Sequence, residues 1–114
     1  MSVIEIKSKK FALKIISLYE YLRNNRREFI LSKQIMKSGT SIGANVKEAS
    51  FAQSKADFYA KMYIAFKEAG ETEYWLDLLY ESEYIEREIY EEMLKECKEI
   101  IRILSAITKR QKYE

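Results

Sequence analysis

Residues 54–81 read SKADFYAKMYIAFKEAGETEYWLDLLYE. Within them Phe58, Met62, Ala65, Ala69, Thr72, Leu76 and Leu79 recur at alternating steps of four and three residues. That rhythm keeps one face of a 3.6-residue helix turned toward a core, whereas a strand of period two would scatter the same side chains over both of its faces. Ser54 opens the helix, with Asp57 three residues later. The pair is a near relative of the capping box, and Asp also suits the positive helix end. A second stripe, Tyr59, Tyr63, Phe66, Gly70 and Tyr74, lies beside the first.

Upstream, Ile35, Gly39, Ile42, Val46 and Ala49 keep the same rhythm through SGTSIG (residues 38–43), a stretch that local preference assigns to a loop. The alternatives are a break between Gly39 and Gly43, or a continuous helix whose small residues let a neighbour come close. The unbroken seam favours the continuous helix. Helix 1 is expected from about Lys7 to Asn24, with Ala12, Ile15, Tyr19 and Leu22 inward and Phe11, Ile16 and Leu18 widening the stripe. Helix 4 is expected from Arg87 to Arg110, with Tyr90, Met93, Cys97, Ile100, Leu104 and Ile107 on its inner face. Short connections make sequential helices antiparallel neighbours. The expectation is an all-α, up-down-up-down four-helix bundle, one domain over residues 1–114.

Composition agrees. The chain has no proline, only three glycines and no histidine. Its 20 Lys and Arg against 18 Asp and Glu leave a net charge of +2, too balanced to argue for nucleic acid alone. The charge is unevenly spread: residues 1–37 carry a local excess of six positive charges, and the remainder is acidic. The topology should bring Lys7, Lys9 and Lys10 near Lys109, Arg110 and Lys112 at one end. At the other it should bring Arg23, Arg26 and Arg27 near Glu81, Glu83, Glu86 and Glu88. No stretch has the length of a membrane span and the N-terminus lacks a signal-peptide pattern, so a cytoplasmic protein without membrane contact is expected.

Catalytic chemistry has little to build on. Without histidine the commonest general base is missing, and so is the Glu-x-x-His half of a di-metal bundle. Glu68, Glu71, Glu73 and Asp77 read as a solvated face rather than an all-carboxylate metal site. Cys97, the one cysteine, sits at a core position without a CxxC partner, as a structural thiol does. No phosphate-loop spacing accompanies the glycines. No enzyme, cofactor or metal is expected.

Three features point instead to association. Ser38, Ser41, Asn45 and Glu48 form a polar row beside the helix 2 seam. It reads as a solvent boundary, a hydrogen-bonded network inside the bundle, or a subunit contact. Helix 3 carries Tyr59, Tyr63, Phe66, Tyr74 and Trp75 on more than one face, more than a single small core covers, so part of that surface should meet another chain. Lys7, Lys10 and Lys14 share a face of helix 1, and Arg23, Arg26 and Arg27 follow, with Lys109 and Arg110 near the far terminus. They read either as a solvated face or as a phosphate-contacting patch that symmetry would multiply.

The segment SGTSIGANVKEASFAQSKADFYAKMYIAFKEAGETEYWLDLLYE, Ser38 to Glu81, resembles the bacterial four helix bundle protein family, which includes proteins encoded in intervening sequences of 23S ribosomal RNA genes. The residues carrying the likeness are Ser41-Ile42-Gly43-Ala44-Asn45, Glu48-Ala49, the Ser54–Phe58 helix start, and Glu71-Thr72-Glu73-Tyr74-Trp75-Leu76. The resemblance implies a protomer that assembles as a closed homo-oligomer, typically a pentamer. It is similar in fold to the accessory variability proteins of diversity-generating retroelements, basic pentamers that work with a reverse transcriptase and its RNA or DNA. The basic helix 1 matches that picture, while the near-neutral total and the acidic helices 3 and 4 depart from it. The functional expectation is a non-enzymatic homopentameric scaffold with a nucleic-acid or ribonucleoprotein role. The alternative is an interaction module that docks a partner protein without nucleic acid.

Overall fold

A computed structural model describes residues 2–114, and in it the first helix starts earlier than expected. Ser2 and Glu5 form a full capping box: the Glu5 amide donates to the Ser2 hydroxyl at 3.3 Å, and the Ser2 amide donates to the Glu5 carboxylate at 3.2 Å. This reciprocal pair satisfies otherwise orphaned donors, so α1 runs Val3–Asn24. Its buried seam is Ile4, Ser8, Phe11, Ile15, Leu18 and Leu22, and Ala12, Ile16 and Tyr19 become the flank.

Helix α2 spans Leu31–Ala49 without a break. A Cβ built on Gly39 would lie 2.7 Å from Ile15 Cγ1, and one on Gly43 would lie 3.4 Å from the Ser8 carbonyl. These two glycines are therefore the surface on which α1 rests, which is why a helix runs through a loop-like sequence. Its N-terminus is held by Glu28, a buried carboxylate that accepts the Ile30, Leu31 and Ser32 amides at 3.2, 3.0 and 2.7 Å.

Helix α3, Lys55–Glu81, is capped by Ser54, whose hydroxyl accepts the Asp57 amide at 3.1 Å. The Asp57 carboxylate reaches the Gln53 amide rather than that of Ser54, so the capping box is only approximated. Its end is a Schellman turn, with the Tyr84 amide donating to Leu79 O at 2.9 Å and the Glu83 amide to Tyr80 O at 3.0 Å. Glu83 takes the left-handed position there at φ 67°. Helix α4 covers Arg87–Lys109 and tightens into a 3-10 turn, Arg110–Tyr113.

The four helices form an elongated bundle of 47 × 22 × 20 Å around one apolar core. Helix α1 packs on α2, α2 on α3 and α3 on α4, while α1 and α4 touch less closely. Cys97 is buried at the α3–α4 contact, its thiol 3.3 Å from Ala69 O, and burial pushes its pKa up to about 12. On the same contact Tyr80 and Tyr90 stack at 4.3 Å, and the Tyr90 hydroxyl donates to Asp77 at 2.7 Å. No helix is long and apolar enough to cross a membrane.

Candidate functional site

Basic residues of α1 lie along a wall of α4 carboxylates. Lys7 pairs with Glu99 at 3.0 Å, and Lys14 with Glu92 at 2.8 Å and with Glu96. Lys10 faces the same wall, sharing a hollow with Glu96 and Glu99. The expected convergence of Lys7, Lys9 and Lys10 on Lys109, Arg110 and Lys112 therefore does not occur. Because α1 begins at Val3, it is Ser2 and Val3 that lie beside Ile107 and Arg110. Glu99 sits eleven residues before Arg110, roughly 16 Å along the helix, so the lysines meet carboxylates instead of the basic tail. Lys14 holds the Glu92 carboxyl and Lys7 the Glu99 carboxyl below the usual carboxylate pKa, and Glu92 and Glu96 raise the pKa of Lys14.

At the other end the arginines serve the turns. Arg26 Nη1 donates to the carbonyls of Glu83 and Tyr84 at 3.1 and 3.0 Å, and its guanidinium lies over the Tyr84 ring. It thus clamps the α3–α4 turn through the backbone, beside Glu83 as expected. Arg23 is sandwiched between Tyr19 and Phe29, 5.2 and 5.0 Å from the ring centroids. Its Nη1 is buried with no hydrogen-bond partner among the described residues. Such a cation over two aromatic faces fastens the α1–α2 connection. Arg27, in the left-handed region at φ 52°, also lies over the Phe29 ring, 5.8 Å from its centroid. Lys109 and Arg110 are exposed at the end of α4.

The polar row of α2 is divided among different surroundings. Ser38 is buried and hydrogen-bonded to Thr72 at 2.9 Å, and Thr72 also donates to Glu68 O. Ser41 and Asn45 bond back to carbonyls of their own helix, at 2.6 and 2.8 Å. Glu48 is exposed and pairs with Lys61 at 3.3 Å. Only the Ser38 end enters the core.

The aromatics of α3 also separate. Tyr59 is buried within the protomer, so it is not part of an outer stripe. Phe66 and Trp75 lean on the core from its edge, and Trp75 donates to Glu71 at 3.0 Å. Tyr63 and Tyr74 remain more than half exposed, at 53% and 55%, with Ile64 beside them. A second uncovered apolar face was not foreseen: Val3, Ile6 and Leu13 on α1, at 60%, 42% and 58% exposure. Its signal is the spacing 3, 6, 13 outside the core stripe, of which Val3 and Ile6 precede the expected helix start at Lys7.

Among the described residues no three His, Cys, Asp or Glu side chains converge as metal ligands. Burial beside α2, with Glu71 nearby, raises the Glu68 carboxyl pKa, and Lys37 and Ser41 of α2 oppose the rise.

No curated protein matches the chain. A crystal structure of a Bacteroides thetaiotaomicron protein of unknown function, from the S23 ribosomal protein family, is 54% identical. It covers 94% of this chain and 99% of that one, with a TM-score of 0.93. The family model for the 23S rRNA-intervening sequence protein matches residues 3–106. That match runs through all four helices, well past the segment that carried the first resemblance, and the chain belongs to the 23S rRNA-intervening sequence protein family.

Proposed function

We propose that this chain is a non-enzymatic helical scaffold of the cytoplasm that assembles with copies of itself into a closed ring, a pentamer, and that the ring serves a ribonucleoprotein or nucleic-acid task. The observation that carries the reading is the pair of uncovered apolar faces, Val3, Ile6 and Leu13 on α1 and Tyr63, Ile64 and Tyr74 on α3. Neither is needed for the protomer's own core, and contiguous apolar surface on a small domain marks contact with another macromolecule. The copy number comes from the family likeness, and the family's link to ribosomal RNA genes supports the nucleic-acid half. Light scattering at micromolar concentration tests assembly: a five-copy mass supports it and a monomer removes it. A salt-dependent mobility shift with structured RNA or single-stranded DNA tests the rest, since phosphate contacts are strongest at low salt. Absence of binding at low salt refutes that part.

One observation favours a second reading, in which the ring docks a partner protein and no nucleic acid. Lys7 and Lys14 are already engaged by α4 carboxylates, and Arg23 and Arg26 by the turns. Co-purification decides between the two, with nucleic acid recovered in the first case and a stoichiometric protein in the second.

A further inference from the structure

We propose that the solvent face of α4, with Tyr63 of the adjoining α3, is a binding surface for single-stranded nucleic acid, the helix contacting phosphates and the tyrosine stacking on a base. The site rests on the nucleic-acid part of the reading above, and it lies apart from the α1 lysines and the arginines of the turns.

Helix α4 carries five cationic and five acidic side chains over Arg87–Lys109, so its sum is neutral, but most of the two signs lie on different faces. Glu92, Glu96 and Glu99 follow steps of four and three along the edge that meets α1, where Lys14 and Lys7 take them up. Lys95, Lys98, Arg102, Lys109 and Lys112 follow steps of three, four, seven and three along the solvent side, the last in the 3-10 turn that continues the helix. All five are exposed, and none makes an ion pair among the described residues. Lys95 and Arg102 lie near enough to Glu99 to help Lys7 lower its carboxyl pKa, yet Glu99 gives its ion pair to Lys7.

The row is long and of one sign. Lys95 and Lys112 are seventeen residues apart, roughly 25 Å along the axis. Cations three or four residues apart are about 5 Å apart along it, inside the screening length of about 8 Å at physiological salt, so they repel one another. A small anion reaches two of them at most, whereas an extended polyanion reaches all five. Such a strand would release counterions at each contact, which is how a row of cations binds phosphates.

What separates nucleic acid from another polyanion is the hollow beside the row. Ser105 interrupts the cations there, and the hollow it shares with Lys109, Gln111 and Lys112 is lined on α3 by Tyr63 and Phe66, with no carboxylate among its lining residues. The Tyr63 ring is tilted 45° against that of Phe66, centroids 5.9 Å apart, so the more buried ring props the exposed one. A half-exposed ring at the edge of a cationic groove offers a base a face to stack on while its phosphates meet the lysines. Lys67, four residues beyond Tyr63 and also exposed, extends the cationic border onto α3. A duplex, with its bases already stacked inside, would leave the tyrosine unused.

The test compares two triple variants of equal net charge. One carries Lys95→Gln, Lys98→Gln and Arg102→Gln on α4; the other carries Lys33→Gln, Lys47→Gln and Lys55→Gln, exposed cations elsewhere. All the sites are exposed, so circular dichroism should show intact folds, as it should for Tyr63→Ala. Fluorescence anisotropy with a short unstructured RNA, and with DNA of the same sequence, gives the affinity across a salt series. With five phosphate contacts the wild-type slope of log K on log salt should be about −3.5. The α4 variant should lose about 2 of that slope and bind at least about tenfold more weakly at low salt, while the other triple variant keeps the slope. Tyr63→Ala should weaken binding about tenfold at an unchanged slope, because stacking releases no counterions. Equal losses in the two triple variants, or duplex DNA bound as tightly as single strands with no effect of Tyr63→Ala, overturn the site and leave nucleic-acid binding standing. Polyglutamate bound as tightly as RNA overturns the site in favour of an acidic protein partner. A wild type that binds no strand at low salt removes the nucleic-acid reading and the site together.

Discussion

Replacing Gly39 by alanine should destabilise this protein, although the same change stabilises most helices. The new Cβ would lie 2.7 Å from Cγ1 and 2.9 Å from both Cδ1 and Cγ2 of Ile15. Ile15 is fully buried and β-branched, so its χ1 has no easy escape. Overpacking of this kind costs about 1–3 kcal/mol, against a helix-propensity gain of about 1 kcal/mol, so the net loss should be about 1 kcal/mol. Ile15→Ala removes all three clashing atoms and leaves a cavity costing about 2–5 kcal/mol. In that background Gly39→Ala should become stabilising by about 1 kcal/mol, through propensity and partial filling. Ile15→Val should not reverse the sign, because Cγ1 and Cγ2 remain. Urea unfolding followed by far-ultraviolet circular dichroism, at one fixed protein concentration, gives the four corners of the cycle. The coupling should be about 2 kcal/mol. If Gly39→Ala has the same effect in both backgrounds, the close approach of α1 to α2 is not what the glycine is for.

Glu28→Ala should cost about 1–2 kcal/mol in a thermal or urea melt, because three amides at the start of α2 lose their acceptor, and Glu28→Gln should cost less. Glu83→Gly should raise stability by up to about 1 kcal/mol, since φ 67° is strained for a side chain and free for glycine. For pH, Glu92 and Glu99 have folded pKa values below the unfolded value of 4.5, through Lys14 and Lys7. Their contribution is complete above about 4.5 and is lost as pH falls through the depressed folded values. Stability should accordingly drop below that point, and the drop should flatten in a Lys7→Met, Lys14→Met variant or in high salt. A variant with the same acid profile as the wild type would show that the pairs do not hold the α1–α4 seam.

Much of the fold was legible because its signals are local and periodic. The seven-residue seam of α3 admits one helix face, and the rhythm through Gly39 and Gly43 outweighed their propensity because the small residues form a packing surface. The start of α1 is also written in the chain, as Ser2 and Glu5 at capping-box spacing, and the helix begins four residues before the expected Lys7. That extra turn of about four residues sets Lys7 and Lys10 further from the basic tail, beside Glu96 and Glu99. Other features could not be read from spacing. Glu28 caps α2 from a loop with no periodicity, and Arg26 binds the backbone of a turn 57 residues away. Tyr59 shares a stripe with Tyr63 and Tyr74 by count, yet it is buried within the protomer while they stay exposed. Whether a residue on a flank meets solvent, the chain's own end or another copy depends on tertiary neighbours that periodicity does not encode.

The apolar faces of α1 and α3 are proposed to meet other copies of this chain. Sedimentation of the wild type across a dilution series in the micromolar range tests it most directly, in low and in physiological salt. The expected result is a single closed species larger than a dimer, with no monomer at the upper concentrations and no growth beyond the ring mass. A protein that sediments as a monomer throughout, with Tyr63, Tyr74 and Leu13 in water, would contradict it.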